Sequence, residues 1–305
     1  MKNGLNWFDP RPGKRPARFV GRDDVLRDIE AALEDGDEAE RIIIITGIRG
    51  SGKTAILSEA AGFERRGEAF FIDDAGKDVP GLREMLLDYG KSAGSGEAPM
   101  LLMAGLPYTI DELLKDEELD FLRRARRLTL GNVREDEVFA LYKRAFEDVY
   151  NVSAVRGGKE LALKALRRAA EATDGHPYLI QLIGYYLSRE ERTIDDKAVD
   201  KAVFLAKIEL YKNIHEPLVW GLSSKDRAFL WAMSQDEGVS EFGEIARRMG
   251  VSTGYASKYR ERLLSASVIY RSSYGELAFT LPYMKEYIEK EYIERLGGEG
   301  GKRRL

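Results

Sequence analysis

The sequence predicts an α/β protein in three parts: a core with a parallel sheet, an all-helical region, and a C-terminal unit of three helices and a hairpin. Four consecutive isoleucines followed by a glycine-rich loop, within Arg41–Thr54, indicate the core. Apolar residues at helical spacing within Glu160–Ala172 indicate the helical region. Three short helical segments, then two β-rich stretches around Ser272–Gly275, indicate the C-terminal unit.

Length and composition limit the classes of protein that fit. The 305 residues can form about two or three domains. A net charge of −4 argues against coating nucleic acid over the whole surface but permits one basic face. The absence of cysteine excludes disulfides and thiolate chemistry, and with only His176 and His215 a histidine-built metal site is not expected. No signal-like start and no apolar run of about 20 residues occur, so we expect a cytoplasmic protein without a membrane partner.

The phosphate-loop pattern follows the isoleucine run. Ile42–Ile45 is typical of a buried strand, and Gly47-x-x-x-x-Gly52-Lys53-Thr54 fits the pattern without a mismatch. Glycines let backbone N–H groups surround phosphate oxygens, lysine reaches the β- and γ-phosphates, and the threonine hydroxyl binds Mg²⁺. The next segment is helix-forming, so a positive helix end faces the phosphates. The predicted nucleotide ligands here are Gly47, Arg49, Gly50, Ser51, Gly52, Lys53, Thr54 and Ala55.

A Val20-Gly21-Arg22 turn and a helix precede this loop. Together with the loop they resemble the origin-recognition and STAND branches of the AAA+ ATPases. The resemblance implies an α/β P-loop NTPase core that binds ATP or ADP with Mg²⁺. It also implies that Val20, Gly21 and Arg22 line the pocket for the adenine base.

The predicted acidic strand is Ala69–Asp74, an apolar run that ends in two aspartates. Asp73 is expected to hold the Mg²⁺ shell through water, and Asp74 to orient the attacking water. The resembling ATPases usually have glutamate at the second position, so the shorter Asp74 predicts slow hydrolysis. Only Gly67 and Glu68 separate this strand from the preceding helix, where the resembling ATPases normally have another strand and helix, so a shortened core is predicted. The alternative is that residues 69–73 form the strand before the acidic one, which would then be missing.

Two further parts of such a site are weak or ambiguous in this sequence. The strand within Pro99–Pro107 ends in Ala104-Gly105, where the resembling proteins place a polar sensor of the γ-phosphate; the nearest hydroxyl is Thr109. A basic cluster precedes the last core strand, Leu128–Leu130. It could supply an arginine finger in trans, and hence self-association, or it could be a solvated helix end. Its candidates are Arg123, Arg124, Arg126 and Arg127.

The helical region contains Gly175-His176-Pro177 directly before a helix. This Gly-x-Pro sequence resembles the lid motif of STAND-type ATPases, whose proline packs near the nucleotide. The resemblance therefore adds His176 and Pro177 to the predicted nucleotide site. The alternative is a simple stop and restart of a helix.

The C-terminal unit has the order helix, helix, turn, helix and hairpin, which is typical of a winged helix. Its third helix carries Lys258 and Arg262, which are four residues apart and so share a face, whereas Arg260 points elsewhere. Cations on one helix face can contact DNA phosphates, so Lys258 and Arg262 are predicted to bind double-stranded DNA. The alternative is a module that docks protein.

These patterns divide the chain into an N-terminal arm, a shortened P-loop core, a helical lid, a winged helix and a flexible tail. The bounds are 1–18, 19–133, 134–221, 222–293 and 294–305. The predicted function is an ATPase that couples its nucleotide state to DNA binding. The main alternative is a STAND-like signalling ATPase whose winged helix docks protein. A phosphotransferase that merely shares the loop is less consistent with the winged helix.

Overall fold

The fold is described from a computed structural model of the chain. The chain forms two compact units, Met1–Ala206 and Lys207–Leu305. The described residues are 7–11, 13–35, 41–63, 69–76, 79–93, 99–150, 158–190 and 194–291.

The first unit contains a parallel sheet of four strands, as predicted. These are β1 (Ile42–Gly47), β2 (Ala69–Ile72), β3 (Met100–Gly105) and β4 (Arg126–Leu130). Their order is β2-β3-β1-β4, so the phosphate-loop strand β1 lies in the interior. All three pairings are parallel. A strand with neighbours on both sides and helices on both faces is buried throughout, which explains the uninterrupted isoleucines of β1.

Helices cover both faces of this sheet. Ile43 and Ile45 pack with α1 (Asp23–Asp35) and α2 (Lys53–Ala60). Ile44 faces the opposite side, because successive side chains of a strand alternate. It packs in a cluster formed by three helical segments: α3 (Leu82–Ala93), α4 (Pro107–Leu113) and a 3-10 helix (Glu117–Arg124).

Four longer helices follow the core in the region predicted to be all-helical. They are α5 (Glu135–Tyr150), α6 (Gly158–Glu171), α7 (Pro177–Ser188) and α8 (Asp196–Leu210). α7 starts at Pro177, a position where the missing N–H of proline costs nothing. No helix in the described ranges has the length and apolar character needed to cross a membrane.

The second unit contains the elements expected of a winged helix, in the predicted order. A π-helical turn (Tyr211–His215) and α9 (Glu216–Trp220) lead into its helices and strands. Strand β5 was not predicted; it joins the hairpin in an antiparallel sheet of order β5-β7-β6. The elements are α10 (Ser224–Ser234), β5 (Val239–Glu241), α11 (Phe242–Arg248), α12 (Thr253–Ser265), β6 (Ile269–Ser273), β7 (Glu276–Phe279) and α13 (284–291).

This unit begins before the predicted boundary at residue 222. The end of α8 and the π-helical turn pack against the C-terminal helix α13. Lys207 forms an ion pair with Glu286 at 2.7 Å, and the rings of Tyr211 and Tyr287 lie 5.2 Å apart. The compact unit therefore includes residues 207–221, which the sequence analysis placed in the lid.

The N-terminal segment is not a free extended arm over residues 7–11 and 13–18. Phe8 is fully buried, with its ring 5.5 Å from that of Tyr142 on α5. It occupies the space beside Gly184 on α7 that a side chain at that position would fill. Arg15 donates to Glu59 on α2 at 2.7 Å. The segment thus joins the helical region to the phosphate-loop helix. The predicted tail, 294–305, lies outside the described residues.

Candidate functional site

The phosphate loop lies between the end of β1 and the start of α2. Gly50 and Gly52 have φ angles of 75° and 94°, in the left-handed region that side chains disfavour. A Cβ atom on Gly52 would meet nothing within 4 Å, so the loop faces open space there. The backbone of α2 begins directly after this opening, and its first N–H groups have no partner within the helix. The loop can therefore accept an anion.

Lys53 places its ammonium group inside the curve of the loop. Nζ donates to the carbonyls of Gly47 and Ile48, at 2.8 and 3.0 Å. Burial lowers the Lys53 pKa to about 8, while the carboxylates of Asp73 and Asp74 act in the opposite direction. The buried Ser51 hydroxyl has no hydrogen-bond partner among the described residues. A partly desolvated cation beside an unsatisfied hydroxyl suits the phosphates of a nucleotide.

The predicted acidic strand reaches the phosphate loop. The Thr54 hydroxyl donates to Asp73 Oδ2 at 2.6 Å, which brings together the two residues predicted to hold Mg²⁺. Hydroxyl and carboxylate oxygens are ligands that Mg²⁺ accepts, with phosphate oxygens and water completing its shell. This contact favours residues 69–74 as the acidic strand over the alternative that residues 69–73 form the strand before it.

Asp74 follows with an unusual backbone conformation. Its φ angle is 55°, and its N–H donates to Asp73 Oδ1 at 2.9 Å. Aspartate tolerates the left-handed region better than most residues with a side chain. The side chain is exposed and close enough to affect the pKa of Lys53. Asp74 is therefore at the site where the sequence analysis placed the water-orienting acid.

The end of β3 has no polar side chain at the predicted sensor position. A Cβ atom on Gly105 would lie 2.5 Å from the Ala75 carbonyl oxygen, so the backbone leaves no room there. The Ala75 N–H donates to the Ala104 carbonyl at 2.7 Å. The Thr109 hydroxyl is directed to the carbonyls of Ala75 and Leu106. The close approach of the acidic-strand backbone explains why a small residue stands at position 105.

Arg22 lies at the edge of the loop. Its guanidinium is buried and donates to the carbonyls of Gly131, at 2.6 Å, and Ser51, at 3.4 Å. Gly21, with φ of 62°, packs closely on Val133 and Glu137. The predicted Val20–Arg22 turn therefore connects the end of β4, the phosphate loop and the start of α5. Burial lowers the Arg22 pKa.

The Gly-x-Pro segment of the helical region contacts the back of the phosphate loop. The fully buried His176 has its Nε2 atom 2.8 Å from the Arg49 carbonyl oxygen. The Tyr178 N–H, the first one that α7 can offer after Pro177, donates to the Gly50 carbonyl at 3.2 Å. A Cβ atom on Gly50 would lie 2.5 Å from the His176 ring. His176 and Tyr178, on either side of Pro177, thus contact the backbone of the loop.

The buried His176 predicts a pH dependence of stability. Burial, with a smaller effect of the Lys53 charge, lowers its pKa from 6.5 to about 4. Between these values the unfolded chain binds a proton that the folded chain does not, so the free energy of unfolding should rise with pH. We expect it to fall as the pH drops from about 6.5 towards 4. In urea titrations across this pH range, the free energy of unfolding should fall less for His176→Gln than for the wild type. An equal fall in the two proteins would show that His176 does not cause the pH dependence.

The four arginines proposed for a finger differ in their surroundings. Arg123 donates to the Leu114 carbonyl at 3.0 Å, and Arg126 pairs with Asp28 at 2.9 Å. Arg124 and Arg127 are exposed, with no partner within the described part of the chain. The latter two are therefore better placed to reach a neighbouring molecule.

The N-terminal segment also lies at the site, which its sequence did not predict. A Cβ atom on Gly13 would lie 3.8 Å from the Thr54 side chain, so this segment passes beside the predicted Mg²⁺ ligand. The signal that could have indicated packing was the aromatic pair Trp7-Phe8 in a stretch otherwise rich in proline and cations. Neither ring is exposed to solvent as an unstructured arm would leave it.

In the second unit, the two predicted DNA ligands have different surroundings. The Lys258 ammonium is exposed and lies 4.0 Å from the centre of the Tyr255 ring. The Arg262 guanidinium donates to both carboxylate oxygens of the buried Asp226 on α10, at 2.7 and 2.8 Å. Arg260 pairs with Glu261 instead. Lys258 and Arg262 do share a helix face, but Arg262 is held in an ion pair with Asp226 of the same unit.

Comparison with solved structures identifies the fold. The chain is similar to the ORC2 protein of Aeropyrum pernix, determined as ADPNP–ADP complexes, with 11% identity, 97% and 99% coverage of the two chains and a TM-score of 0.57. Two other similar structures have TM-scores of 0.48 and 0.43. They are the A. pernix ORC1 protein in complex with DNA (15% identity; 94% and 97% covered) and Cdc6p of Pyrobaculum aerophilum (15%; 94% and 98%).

Comparisons by sequence add one match. Residues 212–288 match a domain of unknown function, DUF8462, so the match lies within the second unit. No curated protein matches the chain. At this level of identity the similarity to the A. pernix ORC2 protein concerns the fold alone.

Proposed function

We propose that this chain, whose fold is similar to that of the A. pernix ORC2 protein, is an AAA+ ATPase of the origin-recognition type, which binds ATP or ADP with Mg²⁺ and hydrolyses ATP slowly. The observation that carries the proposal is the Thr54–Asp73 hydrogen bond of 2.6 Å beside the Lys53 ammonium. It joins the phosphate loop to the acidic strand, and these are the two parts that a nucleoside triphosphate site requires. If the glycine-rich loop were only a structural turn, it would not need a contact with the acidic strand.

Each residue has a definite role in this proposal. The loop N–H groups and Lys53 would hold the phosphates. Thr54 directly, and Asp73 through water, would hold Mg²⁺, which would neutralise phosphate charge. Asp74 accepts a hydrogen bond from the attacking water and so orients it. Val20, Gly21 and Arg22 line the pocket for the adenine base. His176 and Pro177 lie behind the loop. The absence of room for a polar group at Gly105 and the short reach of Asp74 both favour slow hydrolysis.

Nucleotide analysis tests this proposal directly. The purified protein should release ADP or ATP on denaturation, or bind Mg-ATP in a calorimetric titration after nucleotide is removed. If no nucleotide is released and Mg-ATP does not bind in the titration, the nucleotide site is contradicted.

Arg124 and Arg127 are the proposed arginine fingers. If they act on a neighbouring molecule, specific ATPase activity should increase with protein concentration, and this increase should be lost when both arginines are replaced by alanine.

The nucleotide state is proposed to control DNA binding by the second unit. DNA binding is supported by the exposed face of α12, where Lys258 lies beside the exposed Tyr255. Cations and hydroxyls of these types contact phosphates. The alternative, a protein-docking module, is favoured by the ion pairs that occupy Arg262 and Arg260 within the unit.

Salt-dependent titrations should separate these two functions. Lys258→Ala should weaken binding to a mixed-sequence duplex and lower the slope of log affinity against log salt by about one unit. Arg262→Ala should also weaken binding and, because it leaves Asp226 unpaired, lower the thermal stability of the unit. Arg260→Ala is the matched control and should have the smallest effect. If the wild type does not bind at low salt with ATP present, the docking alternative holds.

A further inference from the structure

Two hydrogen bonds join the start of α7 to the phosphate loop and fix the direction of its peptide groups. The Arg49 and Gly50 carbonyls are held by His176 Nε2 and the Tyr178 N–H, both at the start of α7. In a phosphate loop the backbone N–H groups must face the phosphates. In a trans peptide the C=O and the following N–H point in opposite directions. A carbonyl held on the side of α7 therefore directs the Gly50 N–H away from α7.

Glycine makes this orientation unstable without support. Gly50 has φ of 75°, and glycine adopts positive and negative φ about equally readily, so the peptides on either side can rotate at little cost. The loop itself supplies few restraints: the Ser51 N–H donates to the Ile48 carbonyl at 3.2 Å. Two hydrogen bonds from α7 are therefore major restraints on the Arg49–Gly50 and Gly50–Ser51 peptides.

The surroundings of His176 determine which tautomer is present. A carbonyl oxygen can only accept, so Nε2 must carry the hydrogen and Nδ1 is the bare nitrogen. Nδ1 is buried and has no partner among the described residues. A second N–H at Nδ1 would be left unsatisfied, and the nearby Lys53 charge also opposes the cation. The imidazole is thus a neutral donor with a single task, the Arg49 carbonyl.

We propose that His176 is a positioning residue, which holds the Arg49–Gly50 peptide with its N–H towards the phosphates and so couples the helical region to nucleotide binding. The inference rests on the proposed nucleotide site. It assigns His176 no contact with nucleotide and no chemical step. By thermodynamic linkage, phosphate in the loop should stabilise the contact with α7 to the same extent that the contact strengthens phosphate binding.

Three variants of the full chain separate positioning from general packing. His176→Leu keeps apolar bulk but has no donor, whereas His176→Gln places an amide N–H near the position of Nε2. Tyr142→Phe is the control, since it removes the 2.9 Å hydrogen bond from Tyr142 to the Ile180 carbonyl on the same helix, away from the loop. Affinity for Mg-ATP is measured by calorimetry, and folding by circular dichroism and thermal melting.

We expect His176→Leu to weaken Mg-ATP binding about tenfold, the effect of one buried hydrogen bond. His176→Gln should recover most of this loss, and Tyr142→Phe should melt at a lower temperature with unchanged affinity. Wild-type affinity in His176→Leu would overturn the inference and leave the nucleotide site standing. Equal losses in His176→Leu and Tyr142→Phe would show a structural effect and overturn it also. No binding by the wild type would overturn both proposals.

A second pair of variants covers a failure of His176→Leu to fold. The amide of His176→Asn is shorter and reaches only the position of Nδ1, so it cannot donate to the Arg49 carbonyl. Tighter Mg-ATP binding by His176→Gln than by His176→Asn supports positioning. Equal binding by these two polar variants overturns it.

Discussion

Replacing Lys53 by alanine is expected to weaken Mg-ATP binding by about a hundredfold or more, since charge-assisted hydrogen bonds to phosphate are the strongest kind available here. Within the described part of the chain, Nζ donates to the Gly47 and Ile48 carbonyls. Phosphate oxygens are the better acceptors, so we expect the lysine to transfer its hydrogen bonds to the nucleotide when nucleotide binds. Lys53 is not one of the residues that form the hydrophobic core beside α2, so the protein should remain folded.

Calorimetric titration with Mg-ATP measures this effect, with circular dichroism to confirm folding. Lys91→Ala is a suitable control because Lys91 is exposed on α3 and pairs with Asp88, three residues before it. The control should bind as the wild type does. Unchanged affinity in Lys53→Ala would mean that the phosphate loop does not bind phosphate.

Substitutions at Asp74 are expected to change the rate of ATP hydrolysis in opposite directions. Glutamate extends its carboxylate about one carbon–carbon bond further towards the attacking water, so Asp74→Glu should increase the rate. Asp74→Asn cannot act as a base and should lower the rate about a hundredfold. Both variants should still bind Mg-ATP, since Thr54 and Asp73 remain in place.

The backbone at Asp74 predicts a second, separable difference between these variants. With φ of 55°, the position suits asparagine at least as well as aspartate, whereas glutamate should cost about 1 kcal/mol of stability. Asp74→Glu should therefore hydrolyse faster but melt at a lower temperature. Phosphate release and thermal melting measure the two effects. Equal rates for the wild type and both variants would show that Asp74 does not orient or activate the attacking water.

Local sequence patterns predicted the elements that carry the proposed chemistry. The strand Ile42–Gly47, the loop after it and the helix from Lys53 depend on residues within about ten positions of one another. β-branched residues, glycines and helix formers each limit the backbone where they stand. The same holds for the hairpin and the three helices of the second unit. Such elements can be predicted because the conformational preferences and hydrophobic pattern that favour them are local.

The acidic strand shows where local pattern was insufficient. An apolar run ending in Asp73-Asp74 indicated its type, but two assignments remained open until its place in the sheet was known. The Thr54–Asp73 contact and the order β2-β3-β1-β4 favour one of them. The tightness at Gly105 depends in the same way on the neighbouring backbone of Ala75. Strand order and close backbone approaches are properties of the packed sheet.

The sequence by itself determined the phosphate loop, the types and order of the main elements, and the helix face shared by Lys258 and Arg262. Only the tertiary structure decided what those residues contact. Arg262 binds Asp226, 36 residues away, and His176 binds the Arg49 carbonyl, 127 residues away. Helical spacing reports which side chains share a face, but it does not contain the identity of the element packed against that face. That identity follows from packing the whole chain, which brings distant residues into contact.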